Sequence, residues 1–338
     1  MEKILNVLYQ SNDLYAPVAG VSLTSLLKNS KDVEIINIYL LNDNISGSNL
    51  TKFEEVCKQY GRVLFVIDAQ KILKRCEELQ ISTFRGTHTA FLKLLAVESL
   101  ELPSDYVLFL DADTIINKSL KKLLELELSY CACAAVYDCI LNRHKELIGI
   151  DKNDVYYNSG VMYINQKNWI AQNYESKIVN HLQNVRSRYF LPDQDLLNTL
   201  FRKEMKCLEP AYNFNSGFYI YGVDESMSVL GLKPEYYYTT EELQAAYDSP
   251  AIYHCMGAMT GRPWEKDSIH PQNELFDQYL SVSPWSSYEK IAVKRSFVFR
   301  IQRMLYLSLP KKLYLSLHKM ALNFYHYKMD KNAKEHKN

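Results

Sequence analysis

One buried strand that ends in two carboxylates constrains the fold of this chain more than any other segment. Residues 106–110 are apolar or aromatic, and Asp111 and Asp113 follow directly. Such a run is typical of a strand that is buried on both faces, as in a parallel sheet covered by helices. Ligands bind to these sheets beyond the carboxyl ends of the strands, where two aspartates can hold a hard divalent cation. The alternative is a turn in which both aspartates cap the backbone.

The rest of the chain alternates between strand-like and helix-like patterns, which predicts an α/β fold with a mainly parallel sheet flanked by helices. Pro17 fits the first turn of one helix, and Gly61 ends another. Residues 205–260 are less regular and rich in tyrosine. The predicted strands are 4–9, 34–41, 62–67, 106–110, 131–137 and 159–164. The predicted helices are 17–28, 48–60, 69–79, 88–100, 118–127, 166–183 and 193–202.

Four further segments combine the end of a strand or helix with polar residues or glycine. They are residues 10–15, 157–165, 192–198 and 252–264. Taken in order with the Asp-Ala-Asp motif, they resemble the bacterial family 8 glycosyltransferases, which include lipopolysaccharide galactosyl- and glucosyltransferases and are related to glycogenin. The resemblance extends over about residues 4–264.

The resemblance implies the fold and the reaction of that family. The fold would be a single GT-A domain, which is Rossmann-like. The donor would be a UDP-sugar bound through manganese, with magnesium as the alternative. The enzyme would transfer glucose or galactose with retention of the anomeric configuration. The acceptor would be a glycan, glycolipid or glycoprotein in the synthesis of cell-surface polysaccharide.

The resemblance also assigns roles to individual residues. Asp111, Asp113 and His254 would ligate the metal, and Tyr15 would stack on the uracil. A single histidine in an apolar strand can also be an ordinary core residue, and this remains the alternative for His254. The predicted donor site consists of Asn12, Asp13, Tyr15, Lys93, Asp111, Ala112, Asp113, Asn158, Ser159, Gly160, Asp193, Gln194, Gly257 and Arg262.

Two of these residues are the predicted catalytic groups. By resemblance, Asp193 binds the donor sugar and Gln194 lies nearest the reacting carbon. A neutral amide is a poor nucleophile, so Gln194 is expected to stabilise an oxocarbenium-like state while the departing phosphate helps to deprotonate the acceptor. The alternative is a capping turn, because Asp193 and Asp195 at the start of a helix complement its dipole.

The chain departs from the family pattern within the predicted donor site. Asn12 stands where many members have Asp, and Leu14 stands where they often have Asn. The family's aromatic-x-Arg appears as residues 91–93, in which Lys93 keeps the positive charge and loses the bidentate geometry of arginine. In the closing loop, which has two extra residues, Arg262 replaces a lysine and can still bind a diphosphate.

The charge distribution divides the chain into two parts. Residues 285–338 carry 12 Lys or Arg against 3 Asp or Glu, a surplus of +9. The whole chain has 39 basic and 39 acidic residues. Residues 1–284 therefore carry 27 Lys or Arg against 36 Asp or Glu, a net charge of −9. We therefore predict a catalytic domain at 1–284 and a basic, amphipathic, helical tail at 285–338.

The tail interleaves basic residues with aromatic and aliphatic ones on both sides of Pro310. Two short helices of this kind suit an anionic membrane surface, and the alternative is a helical hairpin packed on the domain. The acidic body and the lack of a recognition motif argue against a nucleic-acid partner. No 18-residue apolar run occurs and the first strand begins at residue 4, which predicts a cytoplasmic protein, peripheral on the inner face of the plasma membrane. The seven cysteines are expected to be free thiols.

Two other classes of protein remain compatible with the Asp-Ala-Asp motif. In haloacid-dehalogenase-like phosphatases, an aspartate at the position of Asp111 is phosphorylated. Their motif is normally close to the N-terminus, whereas here roughly a hundred residues precede it. A non-catalytic sugar-nucleotide-binding module is the other alternative, and it would be expected to have lost part of the metal triad, which this chain retains.

Overall fold

The computed structural model describes residues 4–84, 87–184, 189–257 and 259–335, with side chains up to residue 328. Within these ranges the strands form two sheets. The strands are β1 (Ile4–Asn12), β2 (Ile35–Asp43), β3 (Val63–Asp68), β4 (Tyr106–Leu110), β5 (Thr114–Ile116), β6 (Cys133–Tyr137), β7 (Tyr157–Asn165), β8 (Met205–Cys207), β9 (Phe214–Asn215) and β10 (Ile252–His254).

The larger sheet has the strand order β3-β2-β1-β4-β7-β6-β8, and the smaller has the order β5-β10-β9. In the larger sheet, β7 is antiparallel to β4 and β6, and the other neighbouring pairs are parallel. The predicted α/β fold with a mainly parallel sheet is therefore confirmed. The predicted strands are all present, with ends that shift by up to three residues. The sequence patterns did not reveal that β7 runs in the opposite direction.

Helices cover both faces of the larger sheet. They are α1 (Ala16–Asn29), α2 (Gly47–Gln59), α3 (Ala69–Glu78), α4 (Leu92–Leu95), α5 (Asn142–Leu147), α6 (Gln166–Ala171), α7 (Tyr174–Asn184), α8 (Pro192–Phe201), α9 (Gly217–Tyr221), α10 (Val223–Leu230), α11 (Thr240–Asp248), α12 (Asn273–Ser281), α13 (Phe297–Ser308) and α14 (Lys311–Glu335).

The predicted helix signals are confirmed for α1 and α2. Pro17 lies in the first turn of α1. Gly61 follows α2 with φ of 63°, and the N–H of Arg62 bonds back to the carbonyl of Cys57 at 2.8 Å. A left-handed glycine with this returning bond is a common way to end a helix.

Three predicted helices are wrong as continuous elements. Residues 88–100 form only α4 and short 3₁₀ turns, and the side chain of Gln166 bonds the carbonyls of Val97 and Leu100 near the end of this segment, each at 2.7 Å. Residues 118–127 contain a 3₁₀ turn, Lys121–Glu125. The predicted helix 166–183 is divided into α6 and α7 where Asn173 adopts a positive φ of 54°, a conformation that asparagine tolerates better than most residues.

The core consists of two apolar layers, one on each face of the larger sheet. Along β4, Leu108 and Leu110 belong to one layer, and Val107 and Phe109 belong to the other. All four side chains are at most 1% exposed. The apolar run before Asp111 is thus buried on both faces, as predicted, and the aspartate emerges at the edge of the sheet.

The tail forms two helices, α13 and α14, of which the second is longer than predicted. One side of this hairpin packs on the rest of the molecule, since Tyr314 and Leu315 are buried. Arg295 also forms ion pairs with Glu265 and Asp267, the latter at 2.7 Å. Among the described residues, no helix has the length and hydrophobicity to cross a bilayer.

Candidate active site

Three predicted metal ligands converge at the carboxyl edge of the larger sheet. Asp111 and Asp113 lie in the connection from β4 to β5, and His254 is the last residue of β10, which pairs with β5. One ligand atom from each residue lies within 4.8 Å of the others, and His254 Nε2 is 3.2 Å from Asp113 Oδ1. Oxygen and imidazole ligands in this arrangement fit a divalent cation such as manganese.

The charges in this cluster influence one another strongly. Burial raises the pKa of Asp111 above its ordinary value, against the opposing charge of Lys93. Burial also acts to raise the pKa of Asp113, but His254 and Arg262 outweigh it and lower that pKa. Closely spaced carboxylates separate their pKa values in this way. A bound cation favours the ionised form of both carboxylates.

A chain of hydrogen bonds determines which nitrogen of His254 faces the cluster. A carboxylate only accepts, so the amide nitrogen of Asn158 must point to Asp138, at 3.0 Å. The oxygen of Asn158 then accepts from Asn213 at 2.8 Å, which turns the oxygen of Asn213 toward His254 Nδ1, at 3.0 Å. His254 therefore donates from Nδ1, and in the neutral ring Nε2 keeps its lone pair for a metal.

The reversed direction of β7 brings its first residues beside the cluster. The N–H of Asp111 donates to the carbonyl of Gly160 at 2.7 Å. A Cβ atom on Gly160 would lie 2.4 Å from His254 Cε1 and 2.8 Å from Asp111 Oδ2. Glycine at this position is thus required for the close approach of strand and ligands.

Lys93 connects the metal cluster to the predicted sugar-binding aspartate. Its Nζ lies 2.7 Å from Asp193 Oδ2, 2.9 Å from the carbonyl of Ser159 and 3.5 Å from Asp111 Oδ1. Burial acts to lower the pKa of Lys93, but the charges of Asp111 and Asp193 outweigh it, so the net shift is upward. The ammonium group is therefore an internal counter-ion for both carboxylates.

These groups surround a polar cavity of about 290 Å³. Tyr15 and Arg262 close one side of it, where Arg262 Nη1 donates to the hydroxyl of Tyr15 at 2.7 Å. Half of the predicted donor residues line this cavity. They are Tyr15, Lys93, Asp111, Ala112, Asp113, Asp193 and Arg262, together with Gln10, Thr89 and Ala90, which the sequence analysis missed.

Gln194 lies beside the cavity and is fixed by hydrogen bonds at both ends of its amide. Its oxygen accepts from the N–H of Ser159 at 3.1 Å, and its nitrogen donates to Asp138 at 2.9 Å. The side chain is 6% exposed. Asp193 and Gln194 occupy the first turn of α8 without making a side-chain cap there. Asp195 does bind the backbone at this helix start, accepting from the N–H groups of Phe190 and Leu191 at 2.8 and 2.9 Å, as the capping alternative describes.

The remaining predicted donor residues have other contacts. Asn12 accepts from the N–H of Tyr15 at 3.0 Å, and Asp13 accepts from Ser46 and Asn49, each at 2.8 Å. Gly257 lines a different, larger cavity, described below. Direct donor contacts of Asn12, Asp13 and Gly257 therefore stay predictions.

Asp138 and Asn213 are site residues that the sequence analysis did not identify. Asp138 follows β6 directly, and a carboxylate at the end of a parallel strand was a usable signal. Asn213 ends a 3₁₀ turn in the irregular region 205–260, where nothing in the sequence pattern marks it.

Comparison with known proteins identifies the family of this chain and agrees with its fold. The profile of the family described as "Glycosyl transferase family 8" matches residues 6–268, so the chain belongs to that family. It is 26% identical to a lipopolysaccharide 1,2-glucosyltransferase of Escherichia coli, with 89% of this chain and 86% of the relative covered. It is 23% identical to general stress protein A of Bacillus subtilis (strain 168), with 87% and 99% covered.

Among solved structures, the chain is similar to galactosyltransferase LgtC in complex with donor and acceptor sugar analogs. The TM-score is 0.64 at 21% identity, and 87% of this chain and 99% of that chain are covered. This similarity shows that the fold is GT-A, as the resemblance implied. The protein is thus a glycosyltransferase, and family membership does not favour the phosphatase alternative.

Proposed function

We propose that this protein is a metal-dependent, retaining hexosyltransferase that transfers glucose or galactose from a UDP-sugar to a glycan, glycolipid or glycoprotein acceptor in cell-surface polysaccharide synthesis. One observation carries the proposal. Asp111, Asp113 and the Lys93–Asp193 ion pair line one polar cavity, and His254 completes a ligand triad with the two aspartates. Two relatives with lipopolysaccharide in their names, a 1,2-glucosyltransferase and a 1,3-galactosyltransferase, support the class of substrate.

The cavity suits a diphosphate that gains negative charge when its bond to the sugar breaks. Asp111, Asp113 and His254 would hold manganese, or magnesium as the alternative, whose positive charge stabilises this leaving group. Arg262 lines the same cavity and can bind the phosphates with its guanidinium. Tyr15 offers an aromatic face beside it for the uracil.

The sugar would lie between the diphosphate and α8. There Asp193 hydrogen-bonds sugar hydroxyls, and Gln194 faces the anomeric carbon. The acceptor oxygen forms a bond to this carbon as the bond to the diphosphate oxygen breaks, with the electron pair leaving on that oxygen. The proton of the acceptor hydroxyl passes to the departing phosphate. Attack from the side of the leaving group retains the configuration.

The ligand triad gives a direct test of this proposal. We expect Asp113→Asn and His254→Ala to reduce Mn²⁺-dependent UDP release from UDP-glucose and UDP-galactose by more than about a hundredfold, because the leaving-group charge loses its cation. Asp151→Asn, in an exposed loop, serves as the control and should retain activity. Full activity of Asp113→Asn in EDTA would contradict the proposal, and a β-linked first product in NMR spectra would contradict retention.

We also propose that the tail holds the enzyme on an anionic membrane surface. Arg300, Lys311 and Lys312 are exposed on the hairpin, and Lys294 is exposed just before it. Large apolar side chains are exposed next to them, with Phe297 76% exposed. The packed-hairpin alternative does not exclude this, because one side of the hairpin packs on the body while the other side remains exposed.

A further inference from the structure

A second cavity, of about 800 Å³, shares no lining residue with the donor cavity. Asp138, which binds the Gln194 amide, lines it, as do Met256 and Gly257 after β10. Most of its wall is apolar or aromatic, with a few polar groups. This volume and this mixture are typical of sites that bind organic ligands.

Helix α14 of the tail forms one wall of this cavity. The lining residues of the helix recur at intervals of three and four, which places them on one face. They are Leu315, His318, Lys319, Leu322, Tyr325 and His326. Lys319 Nζ donates to the carbonyl of Val229 at 2.5 Å, which joins α14 to α10. The tail therefore completes a cavity that also contains Asp138, the hydrogen-bond partner of the predicted catalytic residue Gln194.

Two histidines in this wall have unused hydrogen-bonding capacity. His326 is only 8% exposed, and its Nδ1 is buried without a hydrogen-bond partner among the described residues. The Nδ1 of His318 is likewise buried without a hydrogen-bond partner among the described residues. A buried polar atom without a partner destabilises the protein, and a hydrogen bond to a ligand hydroxyl can remove that cost. Burial lowers the pKa of both rings, which favours neutral imidazoles that can donate and accept.

We propose that this cavity is the acceptor site and that helix α14 supplies part of it, so that the tail takes part in acceptor recognition. The proposal rests on the hexosyltransferase function proposed above. The acceptor class is a saccharide whose hydroxyls bond His318 and His326. The apolar faces of its rings pack on the aromatic wall, which includes Tyr221 and Phe190.

The position of the cavity supports this assignment over a second donor site. The phosphate-binding residue Arg262 and the metal ligands Asp111 and Asp113 line the donor cavity and not this one. A saccharide that reaches Asp138 brings a hydroxyl next to Gln194, where the anomeric carbon of the donor would lie. The two cavities thus bring the donor sugar and the acceptor hydroxyl together beside Gln194.

The test fills the cavity from α14 without changing the catalytic groups. Leu322→Trp adds bulk to the lining face, and Met320→Trp adds the same bulk to a side chain that is 67% exposed. Full-length variants are assayed with UDP-glucose and UDP-galactose against soluble mono-, di- and trisaccharides and their octyl glycosides. We expect Leu322→Trp to raise the acceptor KM by about tenfold or more. UDP release without saccharide should stay within about twofold of wild type in both variants.

A second variant keeps the test valid if Leu322→Trp fails to fold. His326→Ala removes one polar group and should raise the acceptor KM, whereas Phe324→Ala, at a side chain 59% exposed, should not. An unchanged acceptor KM in the folded cavity variants would overturn the proposal. So would wild-type protein that releases UDP and transfers to no saccharide. Absence of UDP release from any UDP-sugar would instead contradict the proposed hexosyltransferase.

Discussion

Glycine at position 160 lets a strand pass directly behind the ligand triad. Any Cβ there would collide with His254 and Asp111, which cannot move away without leaving the cluster. We expect Gly160→Ala to abolish metal-dependent UDP release while the fold is retained. Gly47→Ala is the matched control, since a Cβ there meets nothing within 4 Å. Mn²⁺ titration of activity measures the effect on metal dependence, and thermal unfolding measures whether the fold is retained. Wild-type metal affinity in Gly160→Ala would contradict this explanation of the glycine.

Asn213 fixes the orientation of the His254 ring although it is not one of the three predicted metal ligands. Asn213→Ala removes the acceptor for His254 Nδ1, so the ring loses its tautomer preference and its fixed orientation. We expect a loss of about 10- to 100-fold in Mn²⁺ affinity, measured by calorimetry. The control is Asn153→Ala, in an exposed loop. Equal Mn²⁺ affinities of Asn213→Ala and wild type would show that the hydrogen-bond chain does not position the ligand.

At the scale of residues, the sequence predicted groups that lie next to short, recognisable motifs. Asp111, Asp113 and His254 were predicted through such motifs, and the structure brings them together. Asn213 could not be predicted, because its role depends on contacts with His254 and Asn158, which are distant in the sequence. The direct roles of the predicted donor residues stay predictions.

At the scale of elements, periodicity predicted where strands lie but not their direction. If β7 ran parallel to β4, its first residues would lie at the opposite edge of the sheet from Asp111. Direction depends on how the chain enters the sheet, which hydrophobic patterns do not record. The prediction of a continuous helix at 88–100 was also wrong, and the end of this segment makes a contact that periodicity cannot record, since a distant side chain, Gln166, binds two of its carbonyls.

The junction between body and tail is also set by distant contacts. Trp285 is 2% exposed and packs where Gly20 of α1 leaves room, and its Nε1 donates to Asn49 at 2.8 Å. We expect Trp285→Ala to lower the free energy of unfolding by about 3–5 kcal/mol, because it leaves a cavity in the core. Urea unfolding measures this loss. Val282→Ala, at a side chain 47% exposed, should have little effect.

This contact bears on any experiment that deletes the tail. Charge counting placed the start of the tail at residue 285, yet the Trp285 side chain fills the interior of the body. The backbone of Ile291 also bonds Trp264 and Lys266. Deletion variants should therefore retain the chain through Lys294. If Trp285→Ala were as stable as wild type, a cut after Ser283 would be acceptable.

At the scale of the whole molecule, we expect the acidic body and the basic tail to orient the enzyme on an anionic surface. Each basic residue near an anionic membrane contributes about 1 kcal/mol, and exposed apolar side chains add burial. We expect full-length protein to cosediment with vesicles of phosphatidylglycerol and phosphatidylcholine at about 50 mM salt and to dissociate at about 0.5 M, where screening is strong. The body, with a net charge of −9, would be repelled by the anionic membrane surface.

A triple variant separates membrane binding from the packing of the tail. Phe297, Met304 and Leu307 are 57–76% exposed on α13, and their replacement by serine removes apolar contact with lipid without opening the core. We expect this variant to lose cosedimentation and to keep the activity of wild type toward soluble saccharides. Tyr130→Ser, at a side chain 93% exposed on the body, should bind vesicles normally. Unchanged cosedimentation of the triple variant, or equal binding of wild type to neutral vesicles, would show that α13 and the basic charge do not form the membrane contact.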